Sequence, residues 1–152
     1  MSPTEARARA TVLGELPDVY TSLLDIGAGL RETLDHTTYE LVKLRASYVN
    51  GCAFCIDMHA FDAMKAGESQ QRMFLVAAWH EARDHFTEAE QAALALTDEV
   101  TELDGGVSDE VYAAVAQHYS DREIAALIAA ICLINFFNRV AVSTGHQPAR
   151  RS

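Results

Sequence analysis

Glu40-Leu-Val-Lys-Leu-Arg-Ala-Ser-Tyr-Val-Asn50-Gly-Cys52-Ala-Phe-Cys55-Ile-Asp-Met-His59 is the stretch that decides how this chain folds. Leu41, Leu44, Ala46 and Tyr48 lie in an apolar, helix-forming run, and Asn50-Gly51 is a C-terminal stop signal. Thr37 or Thr38 is expected to cap that helix, which puts Glu40 in its first turn, where a carboxylate suits the dipole. A second helix is predicted from Cys52 through Cys55, Met58, His59, Asp62, Ala63 and Met64 to Gly67. The pair of helices therefore carries a carboxylate, two thiols three residues apart, and an imidazole one helical turn past the second thiol.

Those four groups supply a nucleophile, a resolving partner and a proton relay. Cys52 lies at the first turn of its helix, so unpaired backbone N–H groups and the positive dipole end are expected to lower a thiol pKa from about 8.5 toward neutrality. A thiolate attacks a peroxide O–O bond and becomes a sulfenic acid, which the neighbouring thiol condenses into a disulfide. Two readings of the attacked thiol stand open. Analogy with thioredoxin favours Cys52, whereas His59, at i+4 from Cys55 and i+7 from Cys52, favours Cys55. Glu40 reaches His59 if the two helices form an antiparallel hairpin, giving a Glu–His–Cys relay, direct or through a water, that takes the thiol proton.

The remainder of the chain bounds this reading. With 152 residues, 49% apolar and 22% charged, it is expected to form one soluble domain with a sizeable core. A net charge of -10 argues against nucleic acid or an anionic membrane as partner, and the Arg150–Arg151 cluster is too short to change that. Met1 to Ala10 carries Arg and Glu and does not read as a signal peptide. Ile124 to Phe137, an apolar run of fourteen residues broken by Asn135, reads as a buried helix too short to span a bilayer. A cytoplasmic location follows as an expectation. In that reducing setting three cysteines are not a disulfide scaffold, and a CxxC is catalytic or metal-binding.

Helical patterns account for the other segments. Val19 to Leu30 follows Pro17, and Ser69 opens a helix through Met73, Leu75, Val76 and Trp79. Thr87 with Glu90 and Ser120 with Glu123 have the form of capping boxes, starting Ala92–Leu103 and a long apolar helix to about Val142. Ser108 caps a helix ending near His118-Tyr119. No alternating run bounded by turns appears, so strands are not expected. The expectation is an all-α single domain, residues 1–152, of six or seven helices. Its last helix, Ile124 to Val142, is expected in the core or a subunit interface.

Glu40, Cys52, Cys55 and His59 fit the E-x11-C-x2-C-x3-H signature of the alkylhydroperoxidase D-like core in the carboxymuconolactone decarboxylase superfamily. The residues around them, with Ala-Ala-Trp-His-Glu near Trp79 and Ile-Asn-Phe-Phe-Asn-Arg near Asn138, resemble its small stand-alone branch from about Tyr39 to Val142. The resemblance implies an all-helical fold, a homotrimer or homohexamer, and thiol-dependent hydroperoxide reduction without cofactor or metal. It implies that Cys55 becomes the sulfenic acid, that Cys52 is its proton donor and disulfide partner, and that Glu40 and His59 form the relay. The electron donor would be a dihydrolipoyl group or a thioredoxin-like protein. One departure is visible: well-characterised members carry a second histidine just before the second cysteine, where this chain has Phe54. Members lacking the cysteine pair decarboxylate a lactone acid; this chain has the pair.

Blander readings compete at each position. Cys52 and Cys55 could hold a structural zinc, with His59 third and Glu40 or an outside residue fourth, making the chain a non-catalytic zinc-stabilised or redox-sensing module. Three candidate ligands on one helix without a second CxxC make a poor tetrahedral cage, so the redox reading is preferred. Cys132 is expected as a small core residue, and Trp79, Phe136 and Phe137 as core or interface packing. His80, Asp84 and His85 read as a solvated helix end rather than a metal site. Tyr48 and Phe54 are candidates for the mouth of the thiol site.

Overall fold

Helix caps set the architecture. The computed structural model describes residues 8–152; 77% of them are helical, 3-10 turns included, and none lies in a strand. The helices are α1 (Val12–Glu15), α2 (Pro17–Thr33), α3 (His36–Asn50), α4 (Ala53–Lys65), α5 (Gln70–Leu75), α6 (Glu88–Glu102), α7 (Asp109–Ala116) and α8 (Asp121–Thr144). Two short 3-10 turns, Val76–Glu81 and Arg83–His85, join α5 to α6. Both expected capping boxes form, Thr87 with Glu90 and Ser120 with Glu123. Ser69 and Ser108 cap α5 and α7, and Pro17 opens α2, where its missing N–H costs nothing.

Two elements depart from the sequence expectation. Asp35, not Thr37 or Thr38, caps α3, its carboxylate accepting the Thr38 N–H at 3.0 Å. The helix thus starts earlier, and Glu40 lies past its first turn and inside the core. The helix from Ser69 does not run unbroken to Trp79. Arg45 donates to the carbonyls of Val76 (3.2 Å) and Ala77 (2.7 Å), drawing them out of the α ladder, and Ala78 leaves helical geometry at φ -131. Asp98 locks this bend, accepting from Arg45 Nε at 2.5 Å and Trp79 Nε1 at 3.1 Å.

The central helix is α3, with nine buried residues. Tyr39 and Val42 pack with Ala93 and Leu96 of α6 and Leu127 and Ile131 of α8. Leu41 and Leu44 pack on the other side with Ala63, Met73, Trp79 and Leu94. Truncating one such leucine to alanine costs about 2–5 kcal/mol, transfer and cavity terms together. α8, Asp121–Thr144, matches the helix expected from Ser120 to about Val142, but at 24 residues it is, by length and composition alone, long enough to cross a bilayer, unlike its apolar run Ile124–Phe137. Here it packs along α2, α3 and α6 as a core helix, burying Leu127, Ile131 and Ile134. Cys132 falls outside that stripe and is exposed, which corrects its expected core placement. No residue of α2 is fully buried; its Tyr20, Leu23 and Gly27 roof a cavity against α8.

Candidate functional site

The turn between α3 and α4 builds the thiol site. Gly51 adopts φ 63, a left-handed conformation that glycine takes without a Cβ penalty. Its N–H reaches the Tyr48 carbonyl at 3.2 Å, and the Cys52 N–H reaches the Ser47 carbonyl at 3.0 Å, a Schellman closure of α3. Cys52 is also the N-cap of α4, its sulfur accepting the Cys55 N–H at 3.4 Å. One residue thus ends the helix bearing Glu40 and starts the helix bearing Cys55 and His59.

Both thiols are free and buried, with the sulfurs 2.6 Å apart. Of the two, only Cys55 lines the cavity, of about 590 Å³, formed between α1, α2, α3, α4 and α8 with the segment that follows α8. Its walls are mainly apolar, from Leu23 and Leu24 of α2, Met58 of α4 and Leu133, Ile134 and Phe137 of α8. Polar groups gather at Cys55, His59 and Asp62 on α4 and at Lys43 on α3. Phe54 is on this wall, as expected, but Tyr48 is not: its hydroxyl donates to the Met73 carbonyl at 3.1 Å, on the other side of α3. Phe137 joins the wall, edge-on to Tyr20 at 5.9 Å, while Phe136 is partly exposed and Trp79 is core. His80 turns to Asp98 at 3.0 Å, away from any grouping with Asp84 and His85.

The electrostatics correct one expectation. Burial pushes the Cys55 thiol up to about 12, and its hydrogen bond to Cys52 adds to this, while a hydrogen bond from Asn138 works in the opposite sense. The helix N-terminus serves the Cys52 sulfur instead, through the capping bond. His59 is pulled down to about 3, first by burial and then by the positive charges of Lys43 and Arg31, so its imidazole is neutral. Glu40 is buried on the facing helix, with Oε1 paired to Lys43 Nζ at 3.0 Å. Its Oε2 has no hydrogen-bond partner and lies 4.0 Å from His59 Nδ1. All four expected residues therefore converge, but the Glu40–His59 link is an approach rather than a closed hydrogen bond.

Two residues on this site escaped the sequence reading. Lys43 shares the carboxylate of Glu40 and sits over the Tyr39 ring at 4.3 Å. Asn138, wholly buried on α8, donates to Ser47 Oγ at 3.0 Å and accepts from Asn50 Nδ2 at 3.0 Å. Asn50 also reaches Asn135, which bonds Thr101 and Arg139, so an amide network stands behind the thiol turn. Its signal was present in the sequence. Asn135 and Asn138, one turn apart in the most apolar helix, need buried partners.

This helical frame, with a cysteine pair at a helix start facing an apolar cavity, is the AhpD-like fold. Residues 16–99 match the carboxymuconolactone decarboxylase family, and the chain belongs to that family. It is 40% identical over 122 residues to the uncharacterised YdfG of Bacillus subtilis, covering 80% of this chain and 82% of YdfG. It is also similar, at TM-score 0.90 and 33% identity, to a protein of unknown function from Agrobacterium tumefaciens, proposed as the antioxidant-defence protein AhpD. That match covers 95% of this chain and all of the other. The debrominase Bmp8, solved with 2,3,4-tribromopyrrole, shares the fold at TM-score 0.80 with 18% identity, over 90% of this chain and 74% of Bmp8.

Proposed function

We propose that this chain is a thiol-dependent peroxidase that reduces organic hydroperoxides through Cys55 and Cys52. The observation that carries this reading is the asymmetry of the pair: Cys55 opens on an apolar cavity of about 590 Å³, and Cys52 waits 2.6 Å behind it. A fold that also hosts a debrominase does not choose the reaction; the site does. In the proposed cycle the Cys55 sulfur bonds to the distal peroxide oxygen, the O–O bond breaks, and the departing alkoxide leaves as the alcohol. Cys52 then attacks the Cys55 sulfenic acid, forming the disulfide and releasing water. A dithiol, such as a dihydrolipoyl group or a thioredoxin-like protein, returns the pair to thiols.

The resting Cys55 is protonated, so its proton must be drawn off during the attack. His59 presents a neutral imidazole one turn along α4, and Glu40, 4.0 Å from it, stabilises the imidazolium as it forms. The sulfur separation favours this reading over a zinc-stabilised module, because two thiolates on one tetrahedral zinc stand about 3.8 Å apart, given Zn–S bonds of about 2.3 Å. The proposal extends to a homotrimer or homohexamer in the cytoplasm. Leu13, Leu16, Val19 and Ile26 on α1, α2 and their junction, and Val142 on α8, are exposed apolar side chains that a partner copy would cover. Light scattering that returns a monomer would contradict the oligomer.

The test is consumption of cumene hydroperoxide by the reduced chain, with dihydrolipoamide or reduced thioredoxin as donor. Turnover that Cys55→Ser abolishes supports the reading. No turnover with any donor, together with one tightly bound zinc per chain, would replace it by the structural module.

A further inference from the structure

The segment after α8 returns to the thiol site. Gly145 closes α8 at φ 68, and the following residues lie along α4 on the stripe Phe54, Asp57 and Phe61. These positions, at i, i+3 and i+7, form one helical face. Arg151 pairs with Asp57 and covers the Phe61 ring at 4.0 Å. His146 meets Phe54 edge-on, with ring centroids 4.1 Å apart and planes at 78°. Both His146 and Phe54 line the cavity beside Cys55. An imidazole ninety-one residues further along the chain thus lines the same cavity as the thiol.

We propose that His146 is a further catalytic residue, the general acid that protonates the alkoxide expelled when Cys55 attacks a hydroperoxide, with Phe54 as its positioning residue. This role rests on the peroxidase reading. The reaction needs a proton at the leaving oxygen, because an alkoxide is a poor leaving group, and the other polar groups on the wall are unsuited to supply it. His59 is neutral and buried, and receives the thiol proton rather than giving one. Lys43 is held by Glu40 at 3.0 Å and by the Tyr39 ring. Arg31 carries a guanidinium that does not give up its proton. Asp62 is an acceptor when ionised, the Tyr39 hydroxyl already donates to the Gly27 carbonyl at 3.3 Å, and the half-buried Tyr20 ring packs edge-on to Phe137. His146 alone combines a place on the wall with an exposed ring that can be recharged from water after each turnover.

The step balances. The Cys55 sulfur loses two electrons to the peroxide and gains the distal OH, and its thiol proton passes to His59. His146 donates one proton to the alkoxide. Solvent then restores His146 and relieves His59, so thiol plus ROOH gives sulfenic acid plus ROH.

The test compares two oxidants that differ in need for that proton. Cumene hydroperoxide expels an alkoxide, whereas peracetic acid expels a carboxylate that leaves unprotonated. With dihydrolipoamide as donor, His146→Gln should lower kcat/KM for cumene hydroperoxide by about 10²-fold, within the range for a lost general acid, and leave the peracid rate nearly unchanged. Phe54→Leu should show the same selectivity with a smaller loss. Equal slowing of both oxidants means a packing role, and unchanged rates on both mean no role; either overturns the assignment of His146. A wild-type chain inert to both oxidants fails the peroxidase reading itself, and this role with it.

Discussion

Cys52 Sγ and Cys55 Sγ lie 2.6 Å apart, yet they occupy different surroundings: Cys52 caps α4 from behind, and Cys55 alone opens on the cavity. Their roles should separate accordingly. Cys55→Ser is expected to abolish sulfenic acid formation, whereas Cys52→Ser should leave a Cys55 sulfenic acid that dimedone traps. Mass mapping of the labelled peptide checks this, and a trapped sulfenic acid on Cys52 of the Cys55→Ser variant would reverse the two roles.

Burial holds Cys55 protonated, with its pKa at about 12, whereas Cys132 is exposed on α8. The thiolate is the species that iodoacetamide alkylates. At neutral pH Cys132 should therefore be alkylated first, with Cys55 labelling rising steadily toward alkaline pH. Peptide mapping along a pH series measures the order, and Cys55 labelled ahead of Cys132 at pH 7 contradicts the protonated resting state. A peroxidase whose thiol rests protonated depends on its relay, so Glu40→Gln and His59→Gln should each slow peroxide consumption by at least about tenfold.

His59 titrates near 6.5 when unfolded and near 3 in the fold. Between those values the unfolded chain binds the extra proton, so acid favours unfolding. The stabilisation is fully present above about pH 6.5 and is lost as pH falls toward 3, at a limiting slope of about 1.4 kcal/mol per pH unit for this one group. Urea melts from pH 7 to 4 should show the loss in wild type and a shallower one in His59→Gln. Parallel profiles would mean that carboxylates, not His59, set the acid limb.

Removing Asn138 takes away the donor to the buried Ser47 Oγ and one of the two acceptors of Asn50 Nδ2, and withdraws a hydrogen bond that favours the Cys55 thiolate. Asn138→Ala should cost about 1–3 kcal/mol of stability, the penalty of unpaired buried polar groups, and should slow Cys55 alkylation further. Calorimetry and the alkylation series check both effects together. A variant as stable and as reactive as wild type would make the amide network incidental.

Much of this arrangement was legible in the sequence because it is local. Both capping boxes, the Asn50-Gly51 stop and the helix start at Cys52 are contacts within a few residues, and each formed. Residues that depend on distant chain were not legible. Arg45 bends the segment at Val76 from thirty-one residues away, and Lys43 takes half of Glu40 only because the core buries both. The thiol pKa was misread for the same reason. A helix N-terminus can be read from spacing, but the burial that outweighs it comes from α8 packing against α3 and α4. Cys132 shows the limit of composition: the most apolar helix still has an outer face.

The most direct measurement is the intact mass of the fully reduced chain after one equivalent of cumene hydroperoxide, followed by peptide mapping and quantitation of the alcohol. A CxxC peroxidase should show loss of about 2 Da, a disulfide mapped to Cys52 and Cys55, and one alcohol per chain. An unchanged mass, or a gain of about 16 Da confined to Cys132 or methionine with the CxxC still reduced, would contradict it.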